Sequence, residues 1–263
     1  MDRALLAAST FCFLFGFAYT MFALGAGQYR PSRFNFSSIA AGFGLQFAFL
    51  IHRGQQIGRC PLSNLFEVFI FLSWSMVLLY FLIGPAYRLS LLGAFTSPVV
   101  FIFQVFALLA LNDSPSKLHI RPNPWLEMHA TLSIIAYGAF AMAGVAGVMY
   151  LAQERQLKRR QIGNFFFNLP PITNLAVAID RLLITGIILL TLGLFAGFGM
   201  GRPFDTVKIG WGVGIWVIYG ALFYTEKWMH LSRKRLAQLS VVAFGLTLVT
   251  LWGITFISEQ AHL

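Results

Sequence analysis

Imidazole is the most versatile reactive group in this sequence, and its five histidines, His52, His119, His129, His230 and His262, all stand near the ends of apolar stretches rather than at their centres. Neutral imidazole ligates iron axially, and an apolar aromatic wall can hold a porphyrin. Trp125 stands four residues before His129, while Trp211 and Trp216 open a later apolar stretch. The same residues also suit ordinary duties, since Trp belongs at a membrane interface and an isolated His is often a hydrogen-bonded structural group. From these residues alone both readings stay open. Other chemistries lack their parts, because there is no glycine-rich phosphate loop, no GxSxG, no HExxH and no CxxC.

The elements that must position these groups follow from composition. A chain of 263 residues that is 58% hydrophobic and 11% charged cannot present an ordinary wettable surface. Its charges gather in short clusters between uncharged stretches long enough to cross about 30 Å of hydrocarbon. Eight spans are expected, at Ala4–Leu24, Ser38–His52, Leu65–Gly84, Leu91–Leu111, Leu126–Ala152, Leu182–Met200, Gly210–Thr225 and Leu236–Ile257. Each must be a helix, because lipid offers no partner to an open strand edge. The expectation is an all-α, polytopic helix bundle forming one transmembrane domain over residues 1–263, with the lipid bilayer as its first partner.

Basic residues in short loops set the orientation. The cluster Arg155, Lys158, Arg159, Arg160 and Arg181 and the cluster Lys227, Arg233, Lys234 and Arg235 fall on one side of an eight-span chain. With Arg30, Arg33 and Arg88 they place twelve of the 19 basic residues on the cytoplasmic side. Both termini then face outward, as do His52, His119, His129 and His262, leaving His230 inside. The net charge of +10 is explained by topology and anionic headgroups, with no nucleic acid required. Asp2 cancels Arg3 in what would be a leader's charged region, so an uncleaved first helix is expected.

Glu67, Glu127, Asp180 and Glu226 all fall near predicted helix ends, where they can reach water. A mid-membrane charge of the kind that marks ion or proton pathways is therefore not expected. Cys12 lies in the first span and Cys60 in an outer loop, where a thiolate could bind iron or the residue could be an ordinary loop cysteine. Thr173–Asp180 reads as a short interfacial helix after the basic loop that begins at Gln153. Ser133 and Tyr137 share the helix face of His129 and read as packing contacts.

The segment Gly58–Trp74, with its run Pro61-Leu-Ser-Asn-Leu-Phe-Glu67, resembles a signature of CcsA-type cytochrome c assembly proteins. Leu92–Pro98, Trp125–Gly138 and Leu182–Gly197 are similar to later segments of that family, so the likeness runs from about Gln46 to Gly201. It implies haem b held at the outer membrane face by two histidines that flank a Trp-rich loop. His129 takes the first position and His262 the second, making these two the expected iron ligands, with His52 as an alternative. Trp125 and Trp211 would support the porphyrin, and Arg59, Arg121 or Arg202 would pair with its propionates. In the loop itself, Gly201–Trp216 lacks the family's Trp-Asp pairs, which fits smaller HemX-like and YpjD-like members.

What the resemblance implies is a haem-binding assembly factor in a bacterial inner (plasma) membrane, working with other cytochrome c assembly proteins or with apocytochrome. An assembly factor is expected rather than a self-contained enzyme. The alternatives are a HemX-like regulatory or scaffolding protein without bound haem and a small-molecule transporter.

Overall fold

A computed structural model describes residues 2–25, 33–62, 64–84, 90–109, 123–159, 171–200 and 206–260. The described residues form eight helices: α1 Asp2–Gly25, α2 Arg33–Ile57, α3 Leu65–Ile83, α4 Ser90–Leu109, α5 Pro124–Arg159, α6 Ile172–Phe198, α7 Thr206–Trp228 and α8 Arg233–Gln260. Six of them, α1, α2, α3, α5, α6 and α8, are each long and apolar enough to cross a membrane. In α4 the apolar run is the shorter Phe95–Leu109, and α7 completes the set of eight expected from sequence. The architecture is a polytopic membrane helix bundle.

Three boundaries differ from expectation, each for a local reason. α2 extends past His52 to Ile57 because Arg53 is buried in an ion pair and is not a loop residue. α5 runs through the expected basic loop to Arg159, where Lys158 meets Glu154 at 2.7 Å one turn earlier. The expected interfacial helix is the first part of α6, which continues without a break from Ile172 to Phe198. In α4, Pro98 lies within the helix, and the hydroxyls before it bond backward, Thr96 Oγ1 to Leu92 O at 2.7 Å and Ser97 Oγ to Gly93 O at 2.8 Å.

The helices pack as two groups joined through α3 and α5. In the first group α1 lies against α2 and α4, and α3 against α4; in the second, α5 lies against α6 and α8, and α7 against both of these. Lipid tails are as apolar as leucine, so such contacts depend on close approach and buried polar bonds rather than on escape from water. Glycines supply the approach. A methyl at Gly42 would fall 2.9 Å from Phe13, one at Gly138 2.9 Å from Ser75, and one at Gly147 2.9 Å from the Ala237 carbonyl. Buried side chains supply the bonds, with Gln104 Nε2 donating to Ser9 Oγ at 3.1 Å and Ser9 Oγ to Gly42 O at 2.9 Å, tying α4, α1 and α2 together.

Phe140 of α5 occupies the tightest of these notches. It stacks on Tyr219 of α7 with centroids 3.5 Å apart and planes 4° from parallel, and a methyl at Gly186 of α6 would fall 2.3 Å from its ring. Gly186→Ala is therefore expected to lower the melting midpoint of the detergent-solubilised protein by an amount equivalent to about 1–3 kcal/mol of overpacking. Gly44→Ala, which meets nothing within 4 Å, should leave the midpoint unchanged.

The basic ends of the second group meet at one level. Arg233 Nη1 reaches Asp180 Oδ2 at 2.6 Å and Glu226 Oε1 at 3.0 Å, and Lys234 Nζ lies 3.8 Å from Glu154 Oε2. These pairs bring together the end of α5, the first part of α6, the end of α7 and the start of α8, as an antiparallel succession of spans requires.

Candidate functional site

The Pro61–Glu67 run starts α3. Asn64 is its N-cap, with Oδ1 accepting from the Glu67 amide at 2.8 Å. Glu67 itself does not reach water as expected. Its side chain is fully buried and accepts from Arg53 Nε at 3.0 Å, while the Arg53 guanidinium carbon lies 5.9 Å from the centroid of the Phe66 ring. A charge pair therefore joins α2 to α3 inside the protein. One turn into the bundle, Gln46 donates to Ile70 O at 2.9 Å and to Ser73 Oγ, and Trp74 stacks on Phe43 and Phe47 with centroids 5.4 Å and 5.7 Å away.

Cys60, in the connection between α2 and α3, is a free thiol. Burial pushes it up to about 11, and the nearby carboxylates of Glu127 and Glu67 push the same way. The thiolate considered as an iron ligand is thus disfavoured at neutral pH. Alkylation of Cys60 should be slow at pH 7 and accelerate about tenfold per pH unit until it levels near pH 11, because only the thiolate reacts. Mass spectrometry of maleimide-treated Cys12→Ala protein would measure this; a rate that levels near pH 9.0 would show an unperturbed thiol.

Across from this connection, α5 opens with Asn123, whose Oδ1 accepts from Trp125 N at 3.1 Å and whose Nδ2 donates to Met200 O at 3.4 Å. Trp125, His129 and Ser133 follow at four-residue spacing and face α6. Three α6 glycines receive them. A methyl at Gly199 would fall 2.6 Å from the Trp125 indole, one at Gly197 3.1 Å from His129 Nδ1, and one at Gly193 2.8 Å from Ser133 Oγ. His129 is half-buried, and its Nδ1 lies 2.7 Å from the Gly193 carbonyl oxygen. A carbonyl only accepts, so Nδ1 carries the proton and the lone pair of the neutral ring resides on Nε2. Since the two nitrogens point to opposite sides of the imidazole, Nε2 is directed away from that carbonyl.

The other expected site residues are placed less closely. Trp125 and His129 share the α5–α6 seam, and half of the Trp125 surface remains exposed. Trp211 is exposed on the first part of α7, and Trp216 donates from Nε1 to Thr191 Oγ1 at 2.9 Å, so Trp216 joins α7 to α6. Below them Tyr219 is fully buried, its hydroxyl 3.3 Å from Thr247 Oγ1. His52 stands near the end of α2, which packs on α1 and α3, whereas α5 packs on α6, α8 and α3; α3 thus lies between the two histidines' helices. His262, His119, Arg121 and Arg202 lie outside the described residues. Among the described residues no group of three or more His, Cys, Asp and Glu side chains gathers as a metal site. Ser133 is a packing residue as expected, with its Oγ buried and without a hydrogen-bond partner.

Sequence reasoning missed the α6 partners of His129. The signal was present, since Gly193-Leu-Phe-Ala-Gly197 is a pair of small residues one turn apart in an apolar helix, which is how membrane helices approach closely.

The chain is similar to known proteins over most of its length. A cytochrome c biogenesis protein CcsA of Guillardia theta is 26% identical, with 78% of this chain and 76% of that protein covered. A CcsA of Chlamydomonas reinhardtii is 25% identical over 81% of this chain and 63% of its own length, so the chain spans less than two thirds of that relative. A protein HemX of Brevibacillus brevis is 27% identical, with 86% of each covered. The family described as cytochrome C assembly protein matches residues 62–262, which include α3 to α8 and both the Pro61–Glu67 run beyond its first residue and the His129 seam; the chain belongs to that family.

Proposed function

We propose that this protein handles haem for cytochrome c assembly, holding haem b at the outer face of a bacterial plasma membrane with His129 as an axial ligand. The observation that carries this reading is the 2.7 Å contact from His129 Nδ1 to the Gly193 carbonyl, which commits Nδ1 to a backbone partner and leaves Nε2 as the ligating atom. The residues present fit the group. Imidazole is a suitable axial donor, half-exposed Trp125 offers an aromatic edge beside it, and Trp211 offers another on α7. When bound, haem supplies the iron and the porphyrin that a recipient cytochrome needs.

Each residue's contribution can be stated separately. His129 would bind and orient the haem, Trp125 and Trp211 would shield it from water, and His262 would be the second ligand to its iron. Arg59 pairs with a propionate from the α2–α3 connection. The outward orientation of His129 is supported by the basic residues at the far end of α5 and the start of α8, of the kind retained on the cytoplasmic side. Partners are haem, lipid and, at the outer face, apocytochrome or other assembly proteins.

A second reading has its own observation in the even 86% coverage shared with HemX, against 63% of the Chlamydomonas CcsA. On that reading the chain is a regulatory or scaffolding protein that carries no haem. The two separate on the visible spectrum of protein purified in detergent after expression with haem supplied. A Soret band, with a b-type pyridine haemochrome, supports the haem reading; its absence supports the scaffold. A covalent c-type linkage is not expected, because neither Cys12 nor Cys60 belongs to a CxxCH sequence.

A further inference from the structure

We propose that the backbone of α6 is the positioning element of His129: the Gly193 carbonyl fixes the imidazole's tautomer and strengthens it as a donor, and the bare surface at Gly197 lets the ring lie close enough to do so. This inference rests on the haem reading above and assigns a role to two glycines in it. Free histidine favours the tautomer protonated at Nε2, which would present a proton to an incoming metal. The contact of 2.7 Å to a group that can only accept selects the opposite tautomer. Hydrogen-bond donation from Nδ1 also makes Nε2 a stronger electron donor to a metal, as it does for metal-bound histidines generally. A stronger donor favours ferric over ferrous iron, so the same bond would lower the reduction potential of bound haem.

Gly197 is the residue that makes the bond possible. A Cβ there would stand 3.1 Å from His129 Nδ1, tighter than a relaxed contact, and 3.6 Å from Cε1, an ordinary one, so a methyl asks the ring to give by a few tenths of an ångström. Trp125 and Ser133, one turn away on either side, sit on Gly199 and Gly193 in the same way, at 2.6 Å and 2.8 Å. A branched side chain at Gly197, with atoms beyond that Cβ, pushes the imidazole off the Gly193 carbonyl. The substitution changes the environment of the ring while removing no ligand.

The decisive measurement is 15N magnetic resonance of histidine-labelled protein in lipid, with His129 assigned by its loss in His129→Ala. It needs neither haem nor a variant that binds it. The expected result, read at a pH where the ring is neutral, is the tautomer protonated at Nδ1, changing to the Nε2-protonated form in Gly197→Val and staying unchanged in Gly214→Ala, where a methyl meets nothing within 4 Å. In haem-loaded protein, Gly197→Val should raise the midpoint potential. That rise should vanish when His129 is replaced by glycine and free imidazole is supplied, since the added ligand is not tethered to α6. An Nε2 proton in the unsubstituted protein overturns the positioning role whatever haem does, as does an unchanged potential in Gly197→Val. A haem-free protein with the proton on Nδ1 instead overturns the functional reading, and this inference with it.

Discussion

Replacing His129 with alanine is expected to abolish haem retention through purification, with the Soret band lost rather than shifted. Even groups that only hydrogen-bond to a metal ligand typically change metal affinity by 10–100-fold, so loss of the ligand itself should weaken binding by more than about 100-fold. The fold should survive. The substitution removes one bond to Gly193, an average contribution of about 1 kcal/mol, and leaves Trp125, Ser133 and Phe140 in their notches. Circular dichroism and the elution volume of the variant therefore serve as controls, and free imidazole added to His129→Gly should restore part of the band. His262→Ala is expected to shift the band and to lower its intensity less, because the ligand that remains there, His129, is the one oriented by the Gly193 carbonyl. Full haem retention in His129→Ala, with an unaltered spectrum, would remove His129 from the site.

The largest expected effect on stability comes from the Arg53–Glu67 pair. Its two side chains are 6% and 0% exposed, so removing either partner takes a counter-charge from the other in a low-dielectric setting. Glu67→Ala or Arg53→Ala should each destabilise by about 3–5 kcal/mol, seen as a large drop in melting midpoint or as failure to accumulate in the membrane. The double substitution Arg53→Met with Glu67→Leu should recover most of the loss, since an apolar pair of similar volume has no charge to desolvate. If the double variant were no better than the single ones, the contribution of the pair would lie in its shape and hydrogen bonds and not in charge compensation.

How much of this was legible in the sequence depended on whether the physics was local. Long uncharged stretches declare membrane helices, because the bilayer's thickness acts on each segment separately, and the eight expected helices are all present, six of them long and apolar enough to cross a membrane. The Asn64 cap is equally local, a side chain three residues before Glu67, but it is not among the expectations. Arg53 was not legible in this way, because whether a charge at a helix end meets water or a partner depends on which helix lies alongside. The end of α2 was set too early for that reason, and Glu67 was given to solvent. The start of α6 was missed because Asp180 looks like a terminus until Arg233, 53 residues later, is seen to neutralise it.

At the site, four-residue spacing puts Trp125 and His129 on one helix face, but nothing in the sequence says what that face meets. Tautomer and ring direction come from a backbone carbonyl 64 residues away, and a carbonyl has no sequence signature. Gly193 and Gly197 could have been noticed by their spacing, though not matched to His129 among the possible neighbours.

The same two glycines carry a consequence for self-association. Small residues one turn apart on a lone membrane helix ordinarily invite a second copy to dock and dimerise. Here that invitation is answered within the chain, because the groove at Gly193 and Gly197 is filled by Ser133 and His129. A homodimer of this protein has to be built on some other face, and cross-linking between copies along this side of α6 would require the His129 seam to open first.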